Sequence, residues 1–164
     1  MTTTRTHSGP TFTMPLDTPI GRLVLESDGN VLIGIWLPTQ ARPRQGQGHD
    51  APPVLKDTAT QLEEYFAQER TEFDVPMEFD GTAFQKEVWA ELTHIPYGTT
   101  ISYGELARRV GRPKGPRAVG QANGRNPIPI IVPCHRVVAG NGIGGYGGGL
   151  PMKRTLLATE GVSA

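Results

Sequence analysis

Cysteine is scarce in this chain of 164 residues, which contains one, Cys134. A single cysteine excludes an internal disulfide and leaves a free thiol, which suits a reducing compartment. Long apolar runs are also missing, since none approaches the ~20 residues of a membrane span. The first ten residues, "MTTTRTHSGP", lack the apolar stretch of a signal peptide. We therefore expect a cytoplasmic protein without a membrane partner.

The net charge of zero hides an uneven distribution. Residues 1–78 carry six Lys/Arg and eleven Asp/Glu, whereas residues 79–164 carry ten Lys/Arg and five Asp/Glu. An acidic half joined to a basic half predicts that one part faces a polyanion. Chance, combined with charge pairing inside the protein, explains the same composition equally well.

The first half predicts a small β-rich domain over residues 1–78. Residues 1–10 are expected to form a flexible tail, and residues 38–53, which have little to bury, a mobile loop. Between them, "TPIGRLVLESDGNVLIGIWL" holds two aliphatic runs around "DGN", a pattern typical of strand–turn–strand structure. Asp57 is predicted to cap a helix. The apolar face of that helix carries Leu62, Tyr65 and Phe66.

The second half predicts a series of helices. Thr82 with Gln85 forms a capping box that opens the first, and Ser102 with Glu105 forms a box that opens the second. Pro116 suits the first turn of a third helix, "PRAVGQAN". The second and third helices, separated by "GRPKG", are similar to a helix-turn-helix, although a purely structural helix pair remains the alternative. Basic residues surround their junction: Arg108, Arg109, Arg112, Lys114 and Arg117.

The third predicted helix carries little side-chain bulk on one part of its surface. The small residues there are Ala118, Gly120, Ala122 and Gly124. An interior glycine costs a helix about 1 kcal/mol relative to alanine, so another backbone is expected to come close. That backbone belongs either to a neighbouring element of the protein or to a nucleic-acid groove, with Arg117 as the long side chain at the helix start.

The segment "IIVPCHRVV" surrounds Cys134 with aliphatic residues, as expected for an inert core thiol. Three prolines nearby predict an extended, constrained segment, and His135 and Arg136 place two groups beside the sulfur that lower a thiol pKa. These features favour a nucleophile. Side chains alternate in extended backbone, so His135 would reach the sulfur only through a water or a bend at Pro133. A cysteine protease is not favoured, since its histidine usually lies far along the chain.

Glycines dominate the stretch "GIGGYGGGLPMKRTLLATEG" that follows. It lacks the spacing of a phosphate-binding loop, which argues against nucleotide binding. Dense glycines instead allow a backbone to wrap a flat ligand, with Tyr146 as a stacking or hydrogen-bonding surface. A helix is expected from Pro151. Near its end, Glu160 is either an exposed residue or the group that orients His135.

Taken together, the motifs closely resemble the O6-alkylguanine-DNA alkyltransferases, in particular the bacterial Ogt-type repair proteins. The resemblance runs through "FQKEVW", "IPYGTTISYGELA", "RAVGQANGRNPIPIIVPCHRV" and "YGGGLPMKRTLLATEG", and covers nearly all of residues 80–161; in the first half it is limited to the layout and "TPIGRLVL". It implies an α+β protein in which a ribonuclease H-like domain, residues 1–78, precedes a mostly helical DNA-binding domain with a helix-turn-helix, residues 79–164.

The resemblance also implies a reaction. Cys134 would take the alkyl group from O6-alkylguanine in DNA, irreversibly and once per molecule. His135, acting through a water, would accept the thiol proton while Glu160 holds its ring, Tyr103 would donate to the base, and Lys153 would assist. Further residues implied in substrate or DNA binding are Arg117, Ala118, Gly120, Asn126, Arg136, Tyr146, Gly147 and Gly148.

The implied partner is double-stranded DNA containing alkylated guanine, bound through its minor groove by a monomer. No cofactor is implied, and the zinc site of some relatives is absent because its cysteines are missing. Gly147 stands where several relatives carry a serine, so substrate contacts there are open, as are the preferred alkyl group and activity on O4-alkylthymine. A non-catalytic DNA-binding or damage-sensor protein is the alternative, although such sensors lack the cysteine of "PCHR". A cysteine hydrolase would instead turn over a small ester or amide.

Overall fold

In the computed structural model, residues 10–40, 51–112 and 114–163 are described. The chain divides into two compact units, Met1–Asp80 and Gly81–Ala164. The tail predicted over residues 1–10 and the loop predicted over residues 38–53 lie largely outside the described residues. Among the helices that are described, none is long and apolar enough to cross a bilayer.

The first unit contains an antiparallel sheet in the order β1 (Phe12–Thr18), β2 (Gly21–Ser27) and β3 (Leu32–Trp36). The turn predicted at "DGN" is confirmed. The Asp28 carboxylate accepts hydrogen bonds from the backbone of Asn30 at 2.8 Å and Val31 at 3.0 Å, and Gly29 adopts a φ of +108°. This turn joins β2 to β3.

Strand β1 is not evident from the sequence pattern. Pro15 cannot donate to a ladder, and Asp17 and Thr18 are polar. The structure accommodates Pro15 because β1 pairs on one side with β2, from Phe12 opposite Ser27 to Thr18 opposite Gly21. Proline is tolerated on such a strand because its missing donor faces away from the ladder.

Helix α1 (Pro53–Phe66) packs against the sheet through buried side chains that include Leu62 and Tyr65. The prediction that Asp57 caps this helix is wrong. The helix begins at Pro53, whose ring fixes φ near the helical value and whose missing N–H needs no partner at that position. Asp57 therefore lies in the second turn, exposed to solvent.

The second unit contains α2 (Ala83–Leu92), β4 (Ile101–Ser102), α3 (Tyr103–Arg109), α4 (Pro116–Gly124), a 3₁₀ turn (Cys134–Arg136), β5 (Val137–Val138) and α5 (Leu150–Thr159). Strands β4 and β5 form a short parallel pair. The α+β composition predicted from the sequence is confirmed.

The predicted helix starts are mostly confirmed. Thr82 and Gln85 make both hydrogen bonds of a capping box. At Ser102 the hydroxyl accepts from the Glu105 backbone at 3.0 Å, but the Glu105 carboxylate pairs with two arginines of its own helix rather than closing a box. Pro116 occupies the first turn of α4 as predicted.

The cap of α2 gives a stability prediction. Thr82→Ala removes the hydroxyl that accepts from the Gln85 backbone and should lower the free energy of unfolding by about 1 kcal/mol. Urea unfolding followed by tryptophan fluorescence in a Trp36→Phe background, in which Trp89 alone reports, measures the change. Thr71→Ala, at an exposed position outside the helices, is the control. Equal midpoints for the two variants would contradict the role of the cap.

Candidate active site

Cys134 lies at the start of the 3₁₀ turn and is buried. The extended segment predicted around it is wrong in detail. The chain reverses at Ile130, which has a φ of +75°, and the Val132 backbone donates to the Ile128 carbonyl at 3.0 Å. It turns again at Cys134, where the Arg136 backbone donates to the Pro133 carbonyl at 3.0 Å. These bends replace the strict alternation of side chains on which the sequence argument relied.

The resting Cys134 thiol holds its proton firmly. Burial raises its pKa to about 11, although the Asn126 side chain and the charge of Lys153 act in the opposite direction. The expectation that the side chains of His135 and Arg136 lower this pKa is therefore wrong for the resting protein. Desolvation of the thiolate outweighs the favourable contacts, so a base must take the proton as the thiol reacts.

His135 is fully buried and is held by Glu160, with 2.6 Å between Nε2 and Oε2. Because a carboxylate only accepts, this bond places the proton of the neutral ring on Nε2 and leaves the Nδ1 lone pair available. Nδ1 has no hydrogen-bond partner among the described residues. Burial lowers the pKa of His135, which keeps the ring neutral and able to accept a proton.

Glu160 also accepts from Arg136, at 2.8 Å from Nε and 3.1 Å from Nη2. The third guanidinium nitrogen donates to the Ile95 carbonyl at 2.6 Å. Arg136, which the sequence predicted to contact substrate or DNA, is thus buried, and its charge is paired with that of Glu160. In this arrangement it supports the His135–Glu160 pair rather than presenting a cation to a ligand.

Two further contacts to this cluster come from the "PYG" turn after α2, to which the sequence analysis assigned no role in the site. The Gly98 backbone donates to Glu160 Oε1 at 3.2 Å. The Tyr97 hydroxyl donates to the Thr159 carbonyl at 3.1 Å, and its ring lies 5.8 Å from the guanidinium carbon of Arg136. These residues lie about sixty positions before Glu160 in the chain, so no local pattern links them.

Asn126 fixes the chain before the cysteine. Its Nδ2 donates to the Val132 carbonyl at 2.7 Å, and its Oδ1 accepts from the Ile128 backbone at 2.9 Å. Its side chain also hydrogen-bonds Cys134 in the sense that stabilises the thiolate. Asn126 therefore acts on both the backbone and the sulfur of this segment.

Lys153 is buried, and its ammonium donates to the carbonyls of Val137 at 2.7 Å and Gly145 at 2.9 Å. Burial lowers its pKa to about 8, against the attraction of the Cys134 thiolate. Lys153 thus joins α5 to β5 and to the glycine-rich loop, residues 140–149, while adding positive potential near the sulfur.

Two tyrosines lie near the cysteine. Burial raises the pKa of both Tyr103 and Tyr146, and a negative charge on Cys134 raises them further. The Tyr146 hydroxyl is buried without a hydrogen-bond partner among the described residues. Both phenols therefore remain protonated near neutral pH and can donate hydrogen bonds to a ligand.

Glycines frame the Tyr103 ring. A Cβ on Gly144 would lie 3.1 Å from the Tyr103 hydroxyl, and one on Gly120 would meet the ring at 3.5 Å. A Cβ on Gly147 would lie 3.6 Å from the Gly124 carbonyl, an ordinary contact. The space is tight at Gly144, where a φ of +77° also favours glycine, whereas neither Gly120 nor Gly147 is required by space. Gly148 is buried.

The exposed face of α4 carries Arg117 and Ala118, with Gly120 half-exposed. The structure thus brings together the residues around the sulfur, and on α4 it exposes Arg117 and Ala118 while it buries Val119, Ala122 and Asn123. The site consists of a thiol, a neutral base, a buried carboxylate that orients it, and donors around them. Such a set can transfer a group to sulfur. No group of three or more potential ligands among the described residues is arranged to hold a metal ion.

Comparisons with known proteins agree along most of the chain. A family profile described as the DNA binding domain of 6-O-methylguanine DNA methyltransferase matches residues 83–162, and one described as its ribonuclease-like domain matches residues 13–79. The methylated-DNA–protein-cysteine methyltransferase of Mycobacterium tuberculosis is 48% identical over 147 residues, which are 88% of this chain and 89% of that protein. The chain belongs to the 6-O-methylguanine DNA methyltransferase family.

Other members of the 6-O-methylguanine DNA methyltransferase family extend the match. The constitutive methylated-DNA–protein-cysteine methyltransferase of Bacillus subtilis is 41% identical over 154 residues, covering 90% of this chain and 93% of its own. The crystal structure of M. tuberculosis O6-methylguanine methyltransferase superposes with a TM-score of 0.83 at 45% identity, over 92% of each chain. A structure of M. tuberculosis OGT in complex with DNA superposes with a TM-score of 0.82 at 46% identity, over 94% of this chain and 95% of that one. The predicted family and fold class are confirmed.

The buried base of this methyltransferase-family chain makes stability depend on pH. The pKa of His135 is lowered in the folded state from its usual 6.5, so the unfolded chain binds more protons below that pH. The free energy of unfolding should therefore fall as the pH drops from 7.5 to 5.5, by at most about 1.4 kcal/mol per pH unit for one proton. Urea unfolding across this range measures it.

The control is His94→Gln, which alters an exposed histidine and should keep the slope. His135→Gln should reduce it, whatever its effect on stability at pH 7.5. A wild-type protein that becomes more stable on acidification would show that the pKa of His135 is raised instead.

Proposed function

We propose that this protein repairs DNA by transferring the alkyl group of O6-alkylguanine to its own Cys134, once per molecule. The observation that carries the proposal is the buried Cys134–His135–Glu160 arrangement in a chain that matches methylated-DNA–protein-cysteine methyltransferases over most of its length. A chain kept only for binding DNA would need neither an oriented base nor a thiol at this place.

The chemistry is a displacement at carbon. The thiol proton of Cys134 passes through a water to His135 Nδ1, which the Glu160 bond leaves unprotonated. The sulfur attacks the alkyl carbon, the carbon–O6 bond breaks, and its electron pair stays on the base. Tyr103 donates a hydrogen bond to the base as this charge develops, and the proton lost by the thiol balances the one that guanine regains.

Deprotonation in step with attack fits the high thiol pKa. A thiol with a pKa of about 11 is almost entirely protonated at neutral pH, which protects it from unspecific alkylation. Lys153 and Asn126, which favour the thiolate, contribute as the proton leaves. The product is a thioether, which has no easy leaving path, so one transfer per molecule follows.

A base inside a duplex hides its O6 substituent, so the target must leave the stack, at a cost of a few kcal/mol. We infer that α4 enters the minor groove, where Arg117 takes the space of the extruded nucleotide. The glycines of α4 support this inference. A Cβ at Gly120 makes an ordinary contact and one at Gly124 meets nothing within 4 Å, so internal packing does not require either glycine.

Residues 79–164 carry a net positive charge, and the arginines of α3 and α4 are exposed. Contacts of such residues with phosphates are independent of sequence and weaken as salt rises. Residues 1–78 carry a net negative charge, so we expect the phosphate contacts to come from the second half of the chain. The partner we propose is therefore duplex DNA containing an alkylated guanine, bound by a monomer.

The transfer has a direct test. Duplex DNA with labelled O6-methylguanine should leave the label on the peptide that contains Cys134, saturating near one per molecule. Cys134→Ser should transfer no measurable label while binding the same DNA with unchanged affinity, because a hydroxyl is a far poorer nucleophile. Label that stays on the DNA in the presence of bound wild-type protein would instead identify a damage sensor, and continued turnover would identify a hydrolase.

Replacing a glycine of α4 by alanine should have opposite effects on stability and on DNA affinity. Gly120→Ala should raise the free energy of unfolding by up to about 1 kcal/mol, because alanine favours helix. The same methyl group should weaken DNA binding by about tenfold, which corresponds to ~1.4 kcal/mol. Urea unfolding and a fluorescence-anisotropy titration measure the two effects. Gly104→Ala, on α3, has room for its Cβ and should show the stability gain without the loss in affinity. Unchanged affinity for Gly120→Ala would remove α4 from the interface.

A further inference from the structure

Asn123, on the buried face of α4, holds the backbone of Cys134 by a hydrogen bond. It is 5% exposed, and its Nδ2 donates to the Cys134 carbonyl at 3.3 Å. The same carbonyl accepts from the Val137 backbone N–H, which closes the 3₁₀ turn. A carbonyl oxygen has two acceptor positions, so both are engaged. The orientation of the Cys134 peptide is thereby fixed from two directions.

Packing alone does not favour an asparagine at this position. Its neighbours on the buried face of α4 are Val119 and Ala122. The Asn123 Oδ1 atom is buried and has no hydrogen-bond partner among the described residues. A buried acceptor without a partner costs free energy, and an aliphatic side chain would fill the same space without that cost. The Cys134 carbonyl would still keep its bond from Val137.

The place of Asn123 on α4 suggests what the amide does. The helix exposes Arg117 and Ala118 on the side proposed to meet DNA and buries Asn123 on the side that meets the cysteine. A rigid helix therefore links the surface that would position the DNA to the peptide that carries the sulfur. Asn126 acts on the thiol and on the carbonyl of Val132, so the Asn123 bond to the Cys134 carbonyl is a separate constraint.

We propose that Asn123 is a positioning residue for alkyl transfer. Its amide holds the Cys134 turn in a fixed position relative to α4. The sulfur is thereby aligned with the target base of a DNA molecule bound on that helix. This inference rests on the proposed function. It predicts a loss in the rate of transfer within the protein–DNA complex, rather than a loss in DNA affinity.

The experiment compares Asn123→Leu with the wild-type protein in single-turnover transfer from O6-methylguanine. At saturating duplex DNA the rate constant should fall about tenfold, whereas the DNA dissociation constant should change by less than about twofold. The free base O6-methylguanine is not held by α4 and can adjust its own position, so its reaction should fall much less. A merely structural role would lower both reactions alike.

Thr58→Val is the stability control, because it removes a buried hydrogen bond, from Thr58 to the Val54 carbonyl at 2.6 Å, in the other unit. It should lower the unfolding midpoint without changing the transfer rate. Asn123→Asp adds a second readout. Ionised, its carboxylate repels the Cys134 carbonyl, but protonated it can donate to it, so the ratio of its rate to the wild-type rate should rise as the pH falls.

A wild-type rate for Asn123→Leu at saturating DNA would overturn the inference, as would equal losses on duplex and free base. A pH-independent ratio for Asn123→Asp would also count against it. Absence of transfer by the unaltered protein would instead refute the proposed function.

Discussion

The carboxylate of Glu160 is the constraint on which the site depends. It accepts from His135, twice from Arg136 and once from the Gly98 backbone. A buried carboxylate without partners is very costly, and here the guanidinium balances its charge while the backbone donor satisfies another lone pair. Because the Arg136 cation already compensates Glu160, His135 can remain neutral beside it. The same carboxylate therefore defines the ring tautomer and joins the end of α5 to the 3₁₀ turn and to the turn after α2.

The surroundings of Cys134 keep the thiol protonated at rest and place a proton acceptor near it. Burial holds the thiol in its protonated form, and the base beside it has its free nitrogen inside the protein. Asn126, Asn123 and Lys153 act on three different parts of the segment: the sulfur, the carbonyl of the cysteine, and the strand and loop that follow. In the proposed reaction, transfer thus depends on an aligned electrophile and a proton acceptor together, and not on a thiolate present beforehand.

Local signals in the sequence were sufficient for much of the fold. The cap at Thr82 and the proline at 116 mark helix starts through bonds between near neighbours, so they can be read directly. The prediction of a helix start at Asp57 was wrong because the helix begins four positions earlier, at Pro53, although Asp is a good capping residue. The turns around Cys134 could not be predicted, since an isoleucine at positive φ is kept there by tertiary packing rather than by its own preference. The support that Gly98 gives to Glu160 spans sixty-two positions, beyond any periodicity.

Lys153 makes the position of the glycine-rich loop independent of the side chains that the loop presents. The ammonium on α5 holds the backbone of Gly145, while the loop itself supplies few side chains. The position of the loop at Gly145 is thus determined by the C-terminal helix, and what the loop presents to a ligand is determined by its own sequence. A substitution at the exposed Gly147 can therefore change what the loop presents to a ligand while the anchoring point at Gly145 stays in place.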